Sequence, residues 1–196
     1  MILLVKKKAK TKEWYTIISP KVFGEKEIGR TLASELELLI GRRIYLSALE
    51  LANNINKYYM KFSFKINRID GNKAFTEFHG SECLQDYVSR MVVRGVRRID
   101  TVQGLVTKNN MKVKVKGIAV IPRKAKSSIQ VKISEKIKQV LKQEVESITL
   151  DDLVEKILSD EIKMKVLTET RRIYPVRNFE IRRLEIAPSK ETEQKS

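Results

Sequence analysis

The chain has 196 residues, of which 42% are hydrophobic and 33% are charged. This length and apolar content suffice for a hydrophobic core without disulfides or metals, and they exclude a chain that is disordered throughout. Forty lysines and arginines against 24 acidic residues leave a formal net charge of +16, which repels itself in a folded chain unless a polyanion neutralises it.

The polyanion is nucleic acid, an acidic membrane surface or an acidic protein. A membrane surface favours a basic amphipathic helix with aromatic anchors, whereas the only tryptophan, Trp14, lies in a strand-like segment. No stretch approaches the roughly 20 apolar residues of a membrane span, and the apolar residues 1–5 precede the first lysines, unlike a secretory signal. The single cysteine, Cys83, excludes an internal disulfide. We therefore expect a soluble intracellular protein that binds nucleic acid and no membrane.

The predicted organisation follows the change of pattern along the chain. Residues 1–12 are predicted to be a basic N-terminal arm, residues 13–121 strands with one short helix, and residues 122–174 a helical part. Residues 175–188 return as a strand, and residues 189–196 are polar enough to be disordered.

The strand-rich part opens with a strand at residues 14–18, and a shorter candidate follows at residues 43–46. The clearest hairpin covers residues 59–79, where apolar and polar residues alternate with the period of a sheet that has one buried face. Residues 70–72 supply its turn.

Ser81 is predicted to cap a short helix over residues 82–91, before a second pair of strands at residues 96–107 and 111–121. Residues 109–110 are asparagines, which tolerate positive φ, and are expected to form the turn. Along the second strand of this pair, lysines face one way and apolar residues the other.

After the strand-rich part the apolar period becomes helical. A capping box from Ser127 to Gln130 is expected to start a first helix, and further helices are predicted at residues 150–158 and about 160–172. In the returning strand the apolar residues change phase across residues 182–183, which indicates a bulge. The predicted fold class is α+β, a small and mostly antiparallel β-barrel with flanking helices from the C-terminal half.

Charge is segregated along the chain. Residues 144–161 contain seven acids and one base, and residues 163–183 are basic again. Segregation lets one surface face a polyanion while another faces solvent or a basic protein. Residues 108–142 contain one acid, Glu135, and eleven basic residues, which are Lys108, Lys112, Lys114, Lys116, Arg123, Lys124, Lys126, Lys132, Lys136, Lys138 and Lys142.

The basic residues between 108 and 142 are interpreted as a stripe that follows RNA phosphates from a strand, through a loop, onto a helix. The alternative is an ordinary solvated lysine face. A second cluster suits bidentate phosphate contacts, although its members could instead pair with Glu82, Asp86 or Asp100. The cluster contains Arg90, Arg94, Arg97 and Arg98.

Aromatic residues are sparse, at 7% of the chain. Tyr58, Tyr59, Phe62 and Phe64 fit core positions better than a base-stacking platform. We therefore expect the chain to recognise the shape and phosphates of folded RNA, and not single-stranded bases.

Two apparent motifs for ligand binding are rejected. Residues 24–31 resemble a phosphate-binding P-loop, but two glutamates would stand in its cradle, so a turn leading into a strand is the better interpretation. His79 and Cys83 could share a metal on a helix, but structural zinc usually takes four such ligands. His79 is instead expected to end a strand and Cys83 to pack in a helix. We predict no catalytic residues, metal, cofactor or small-molecule substrate, and hence no enzyme.

Six segments in order resemble one family: WYTIISP with FG at residues 14–24, IGRT at 28–31, GRRI at 41–44, FTEFHG at 75–80, PRKAKSS at 122–128 and RIYPVR at 172–177. The chain resembles the archaeal and eukaryotic small-subunit ribosomal proteins of the eS-one family, formerly called S-three-a-e. The resemblance covers about residues 6–187. Ser19 stands where the family usually has alanine, and residues 109–110 replace a more typical Asp-Gly turn.

This resemblance implies a β-barrel with attached helices on the platform of the small subunit. Its implied partners are ribosomal RNA near the 3′ end, at the messenger exit region, and neighbouring platform proteins of the cytoplasmic ribosome. The short tail is similar to the archaeal members. Charge pattern and resemblance together give the candidate RNA-binding residues, which are Lys6, Lys7, Lys8, Lys10, Lys12, Arg90, Arg94, Arg97, Arg98, Lys112, Lys114, Lys116, Arg123, Lys124, Lys126, Lys132, Lys136, Arg171, Arg172 and Arg177.

The leading hypothesis is a structural constituent of the small ribosomal subunit. The alternative is a free RNA-binding chaperone or translation factor that acts on that subunit, with the same charge but exchangeable binding. A nucleic-acid enzyme would require clustered carboxylates in one cleft.

Overall fold

A computed structural model describes residues 11–52, 55–123 and 125–187 of the chain. In these ranges eight β-strands, mostly antiparallel, are combined with five α-helices that lie mainly in the C-terminal half. The predicted α+β class is confirmed.

The chain folds into two compact units. Within the described ranges, the first unit consists of residues 11–44 and 64–78, and the second of residues 45–63 and everything from residue 79 onward. The division falls inside strands, so it follows no linker in the sequence.

The first unit is built around strand β1 (Glu13–Ile18), which was expected from its apolar pattern. β1 pairs antiparallel with β2 (Glu27–Ala33) and parallel with the start of the strand at Lys73–Cys83. A turn leads into β2, as predicted for the rejected P-loop segment. The buried cluster of this unit contains Tyr15, Ala33 and Leu39.

The predicted hairpin and short strand are confirmed. β3 (Arg43–Ser47) precedes β4 (Met60–Asp70), which pairs with β5 (Lys73–Cys83). Gly71 supplies the turn with a φ of 55°, a left-handed conformation that glycine adopts without a steric penalty. Alternation along β4 buries Met60, Phe62, Phe64 and Ile66.

The second unit is built around strand β7 (Lys112–Ile121). β7 pairs antiparallel with β6 (Arg97–Val106) on one side and with β8 (Asn178–Ile186) on the other. The end of β5 pairs with β8 in turn. Asn110, at a φ of 57°, lies in the turn between β6 and β7, where a pair of asparagines was expected.

A bulge interrupts the pairing of β7 with β8. Lys116 lies opposite Arg183 and Gly117 lies opposite Ile181, so Arg182 is the extra residue. This extra residue keeps the apolar positions on both sides of it on the buried face. The predicted bulge is confirmed.

Five helices complete the described residues, and none of them combines the length and the apolar character that a membrane span requires. The predicted helices at residues 150–158 and about 160–172 are confirmed. The helices are α1 (Ala48–Ala52), α2 (Gln85–Met91), α3 (Ser127–Ser147), α4 (Leu150–Leu158) and α5 (Glu161–Arg171).

Helix α3 lies along the outermost strand of the second unit. At one end Arg97 Nε donates to Gln130 Oε1 over 3.4 Å, and at the other Lys108 N donates to the Ile148 carbonyl over 3.1 Å. A helix beside an outermost strand protects its unpaired groups from another chain.

Neither unit closes into a barrel, which corrects that part of the fold prediction. Within the described ranges the strand order is open and ends at β2 in the first unit and at β6 in the second. Other groups flank these strands: α3 lies along β6, and Arg42 Nη1 donates to the Leu32 carbonyl of β2 over 3.2 Å.

The start of α2 differs from the prediction. Ser81 does not cap a helix, because it belongs to β5 and lies opposite Leu184 of β8. The strand continues to Cys83, so this cysteine does not pack in a helix, and His79 lies inside the strand. The backbone bonds offered by β8 outweigh the local capping preference.

The start of α3 also differs from the prediction. Ser127 and Gln130 form no capping box, and Gln130 Nε2 instead donates to the Ala125 carbonyl over 2.8 Å. A capping box is present at the next helix, between Thr149 and Asp152.

The close approach at Gly117 gives a stability test. A Cβ at this position would lie 2.7 Å from Thr101 Oγ1 and 2.9 Å from Phe179 Cε2. Gly117→Ala should therefore lower the free energy of unfolding by about 1–3 kcal/mol, the usual cost of overpacking, in urea denaturation. Gly104→Ala is the matched control, because a Cβ there meets nothing within 4 Å. Equal stability of the two variants would contradict this packing.

Candidate nucleic-acid interface

The ends of three strands bring basic side chains together in the second unit. β6 and β8 begin where β7 ends, because Arg97 lies opposite Ile121 and Arg177 N donates to the Val120 carbonyl over 2.8 Å. Arg90 lines the same surface groove as Arg177. This group, the basic end, consists of Arg90, Arg94, Arg97, Arg98, Arg123, Lys126 and Arg177.

Most cations of the basic end have no carboxylate partner among the described residues. Arg98 is the exception, since its guanidinium binds Asp100 over 2.8 Å. Arg97 donates to a neutral amide, and Arg90 Nε donates to the Asp86 carbonyl over 3.3 Å. The positive charge of this surface is therefore largely uncompensated within the unit.

The lysine face of β7 is a second basic surface. Lys112, Lys114 and Lys116 all project from one side of the strand, as the alternation predicted, while the intervening residues are buried. Lys116 binds Glu185 over 3.4 Å, so the charge of Lys116 is partly compensated within the unit. Lys112 and Lys114 are exposed and form no ion pair with any described residue.

The helical candidates are divided between solvent and internal ion pairs. Lys132 and Arg171 are exposed, whereas Glu169 binds Lys136 over 3.1 Å and Arg172 over 3.6 Å. A hydrogen bond from Lys136 and the charge of Arg172 lower the pKa of Glu169. Lys136 and Arg172 are thus partly engaged within the chain.

The acidic segment is partly neutralised in the same way. Glu144, nearly buried on α3, forms ion pairs with Lys165 of α5 and with Lys156 of α4, the latter over 3.8 Å. Part of the charge segregation seen in the sequence therefore serves helix packing.

The remaining candidates lie elsewhere. Lys12 is exposed and belongs to the first unit. Four lysines of the predicted basic arm and one of the loop before α3 fall outside the described residues, as does the predicted disordered tail. These lysines are Lys6, Lys7, Lys8, Lys10 and Lys124.

A buried polar cluster underlies the basic end, and the sequence did not reveal it. Glu180 accepts hydrogen bonds from the hydroxyls of Tyr59, over 3.1 Å, and Tyr87, over 3.2 Å, and it binds the ammonium group of Lys163. The two tyrosine rings are stacked with centroids 3.7 Å apart. Burial and the Glu180 charge raise the pKa of the Tyr59 hydroxyl. This cluster fixes the orientation of Tyr87.

A buried lysine extends the cluster. The side chain of Lys57 is only 3% exposed and binds Asp160 over 2.5 Å. It also donates to the Tyr59 hydroxyl over 3.4 Å. A lone lysine between polar residues carries no pattern that distinguishes burial from exposure, so the sequence could not identify it.

Tyr58 contradicts its predicted core position. Its side chain is 45% exposed, whereas Tyr59, Phe62 and Phe64 are buried as expected. Adjacent tyrosines give no signal of which ring faces inward, because the segment between α1 and β4 has neither helical nor strand period.

No set of three or more His, Cys, Asp or Glu side chains within the described ranges is arranged to hold a metal ion. The arrangement on these surfaces suits noncovalent binding of phosphates by guanidinium and ammonium groups.

A family model described as the Ribosomal S3Ae family matches residues 4–189, nearly the whole chain. The chain belongs to the Ribosomal S3Ae family. This membership confirms the resemblance found in the sequence motifs. It also confirms that the chain is not an enzyme, because the family is one of ribosomal proteins.

Curated archaeal relatives in the Ribosomal S3Ae family carry the name small ribosomal subunit protein eS1. The relative from Methanothermobacter thermautotrophicus is 37% identical over 172 residues, which cover 88% of each chain. The relative from Methanopyrus kandleri is 35% identical over 187 residues, covering 93% of this chain and 89% of its own. One from Saccharolobus islandicus is 30% identical over 182 residues, covering 93% and 88%.

Removing the charge of Glu180 tests the buried cluster. Glu180→Gln leaves Lys163 without its anionic partner in a mostly buried site, so the free energy of unfolding should fall by about 3 kcal/mol in urea denaturation. The control is Glu185→Gln, because the Glu185 side chain is 34% exposed and its ion pair should contribute less than about 1 kcal/mol. A loss no larger than that of the control would refute the structural role of Glu180.

Proposed function

We propose that the chain is a structural, non-catalytic component of the small ribosomal subunit that binds ribosomal RNA through phosphate contacts. The observation that carries this proposal is the basic end, where arginines and a lysine from distant segments meet with little compensation by carboxylates. Contacts of this kind set the position of a protein on folded RNA without reading its sequence. The name shared by the archaeal relatives supports the same assignment.

The basic end and the lysine face have different roles in this proposal. Six of the seven basic-end side chains are arginines, and a guanidinium binds a phosphate with two parallel hydrogen bonds. The lysine face presents compact charges along β7, with Val102 and Val106 exposed beside it on β6. We infer that the basic end anchors the protein and that the lysine face adds a less directional attraction.

The location within the subunit is the finer part of the proposal. The family resemblance implies the platform, near the 3′ end of the ribosomal RNA and the messenger exit region, with other platform proteins as neighbours in cytoplasmic ribosomes. Two segments that carry the resemblance, residues 122–128 and 172–177, contribute Arg123, Lys126 and Arg177 to the basic end.

The salt dependence of RNA binding tests the phosphate contacts. Affinity for small-subunit ribosomal RNA should fall steeply with salt, because each neutralised phosphate releases counterions. In filter binding, Arg123→Gln should reduce the slope of log affinity against log salt by about 1. Lys61→Gln, which removes an exposed charge from β4 outside both basic surfaces, should leave the slope unchanged. Binding that is insensitive to salt would overturn the proposal.

A salt wash separates a structural component from a free chaperone or translation factor. The chain should stay with small subunits during sedimentation at a salt concentration that strips initiation factors, because many phosphate contacts must break together for it to leave. Immunodetection of the subunit and free fractions gives the measurement. Release at the same salt concentration as the factors would support the exchangeable alternative instead.

A further inference from the structure

A surface groove in the second unit combines aromatic and cationic side chains. It lies between α2 and the start of β8, at the basic end. Its lining consists of Tyr58, Tyr87, Arg90, Met91, Arg177 and Asn178.

The aromatic wall of this groove is held rigidly. Tyr58 is 45% exposed and packs edge-on against Tyr59, with centroids 5.8 Å apart and planes at 89°. Tyr59 in turn stacks on Tyr87 with an angle of 6° between the rings. Because Glu180 binds both hydroxyls of the stacked pair, Tyr87 cannot rotate freely, and Tyr59 is a fixed ring against which Tyr58 packs. A fixed aromatic surface stacks a nucleobase with little loss of conformational entropy.

The cationic wall has free donors. Arg90 uses Nε for the Asp86 carbonyl, and its terminal nitrogens form no hydrogen bond with any described residue. Arg177 is exposed, and its backbone N–H bonds to Val120, which fixes the start of its side chain. Asn178 is oriented by its bonds to Met91 and to its own strand. Two guanidinium groups beside an aromatic wall match a base that is linked to a phosphate.

We propose that this groove binds one unpaired nucleotide of an RNA strand, with its base stacked on the exposed ring of Tyr58 and edge-on to Tyr87, and with its phosphate on Arg90 and Arg177. This inference rests on the proposed RNA-binding function and adds a base-recognition site to it. An RNA nucleotide suits the groove better than a free nucleotide, because the remaining cations of the basic end continue beyond it and would bind the adjoining phosphates. This proposal departs from the expectation that the chain recognises only the shape and phosphates of folded RNA and not single-stranded bases.

The test uses the full chain and three RNA hairpins that differ at a single position. One hairpin is fully paired, the second carries a single unpaired adenosine, and the third carries an abasic nucleotide at that place. Fluorescence anisotropy of labelled hairpins measures the three dissociation constants. The wild-type chain should bind the adenosine hairpin about tenfold more tightly than the abasic hairpin, the size expected for one stacked base.

Substitutions test whether the groove causes the preference for the adenosine hairpin over the abasic hairpin. Tyr58→Ala should abolish the preference and leave the affinity for the paired hairpin unchanged, whereas Tyr58→Phe, which keeps the ring, should retain the preference. Tyr45→Ala is the matched control, because Tyr45 is an exposed tyrosine of the same unit outside the groove. Arg90→Gln should weaken the adenosine hairpin more than the paired hairpin. Circular dichroism melting verifies that each variant is folded.

Each contrary outcome has a distinct meaning. Equal affinity of the wild-type chain for the adenosine and abasic hairpins would overturn the groove proposal and leave the RNA-binding function intact. If adenosine monophosphate competed as strongly as the adenosine hairpin, the groove would be a site for a free nucleotide. That result would also overturn the groove proposal. Failure of all three hairpins to bind would instead contradict the proposed function itself.

Discussion

The pairing of β7 with both of its neighbours is the constraint on which the functional surface depends. Because β6 and β8 both run antiparallel to β7, their starts lie beside the end of β7. Basic residues from segments about 80 positions apart thereby become neighbours. The bulge at Arg182 preserves this arrangement by keeping the apolar positions of β8 in phase with those of β7. A slip of one residue would turn Phe179 and Leu184 outward and would misplace Arg177.

The large positive charge of the chain serves two purposes that the structure separates. Some cations stabilise the fold: Lys57 and Lys163 are largely buried beside carboxylates, and Lys165 binds Glu144 between helices. Others lie at strand ends or on the face of β7, where the described residues provide few acids. A count of net charge therefore overstates the number of cations that are available to RNA.

The sequence pattern correctly predicted the elements that depend only on residues close together in the chain. The hairpin of β4 and β5, the face of β7 that carries lysines, and the bulge at Arg182 all follow from alternation with period two. The errors occur where contact with a segment distant in the sequence determines the local structure. Ser81 becomes part of a strand because β8 pairs with it, and Tyr58 lies at the surface because Tyr59 takes the buried place beside Glu180. Closure into a barrel was equally beyond local pattern, since it depends on what lies next to the outermost strands.

The buried polar cluster around Glu180 determines when the second unit can finish folding. Lys57 finds its acceptor 103 residues further along the chain, and Tyr59 finds Glu180 121 residues further. When the first of these segments leaves the ribosome during synthesis, its ammonium group must stay hydrated, because burying an unpaired charge is unfavourable. The second unit therefore cannot complete its core before Glu180 has been synthesised, and until then the nascent chain exposes an unfinished core.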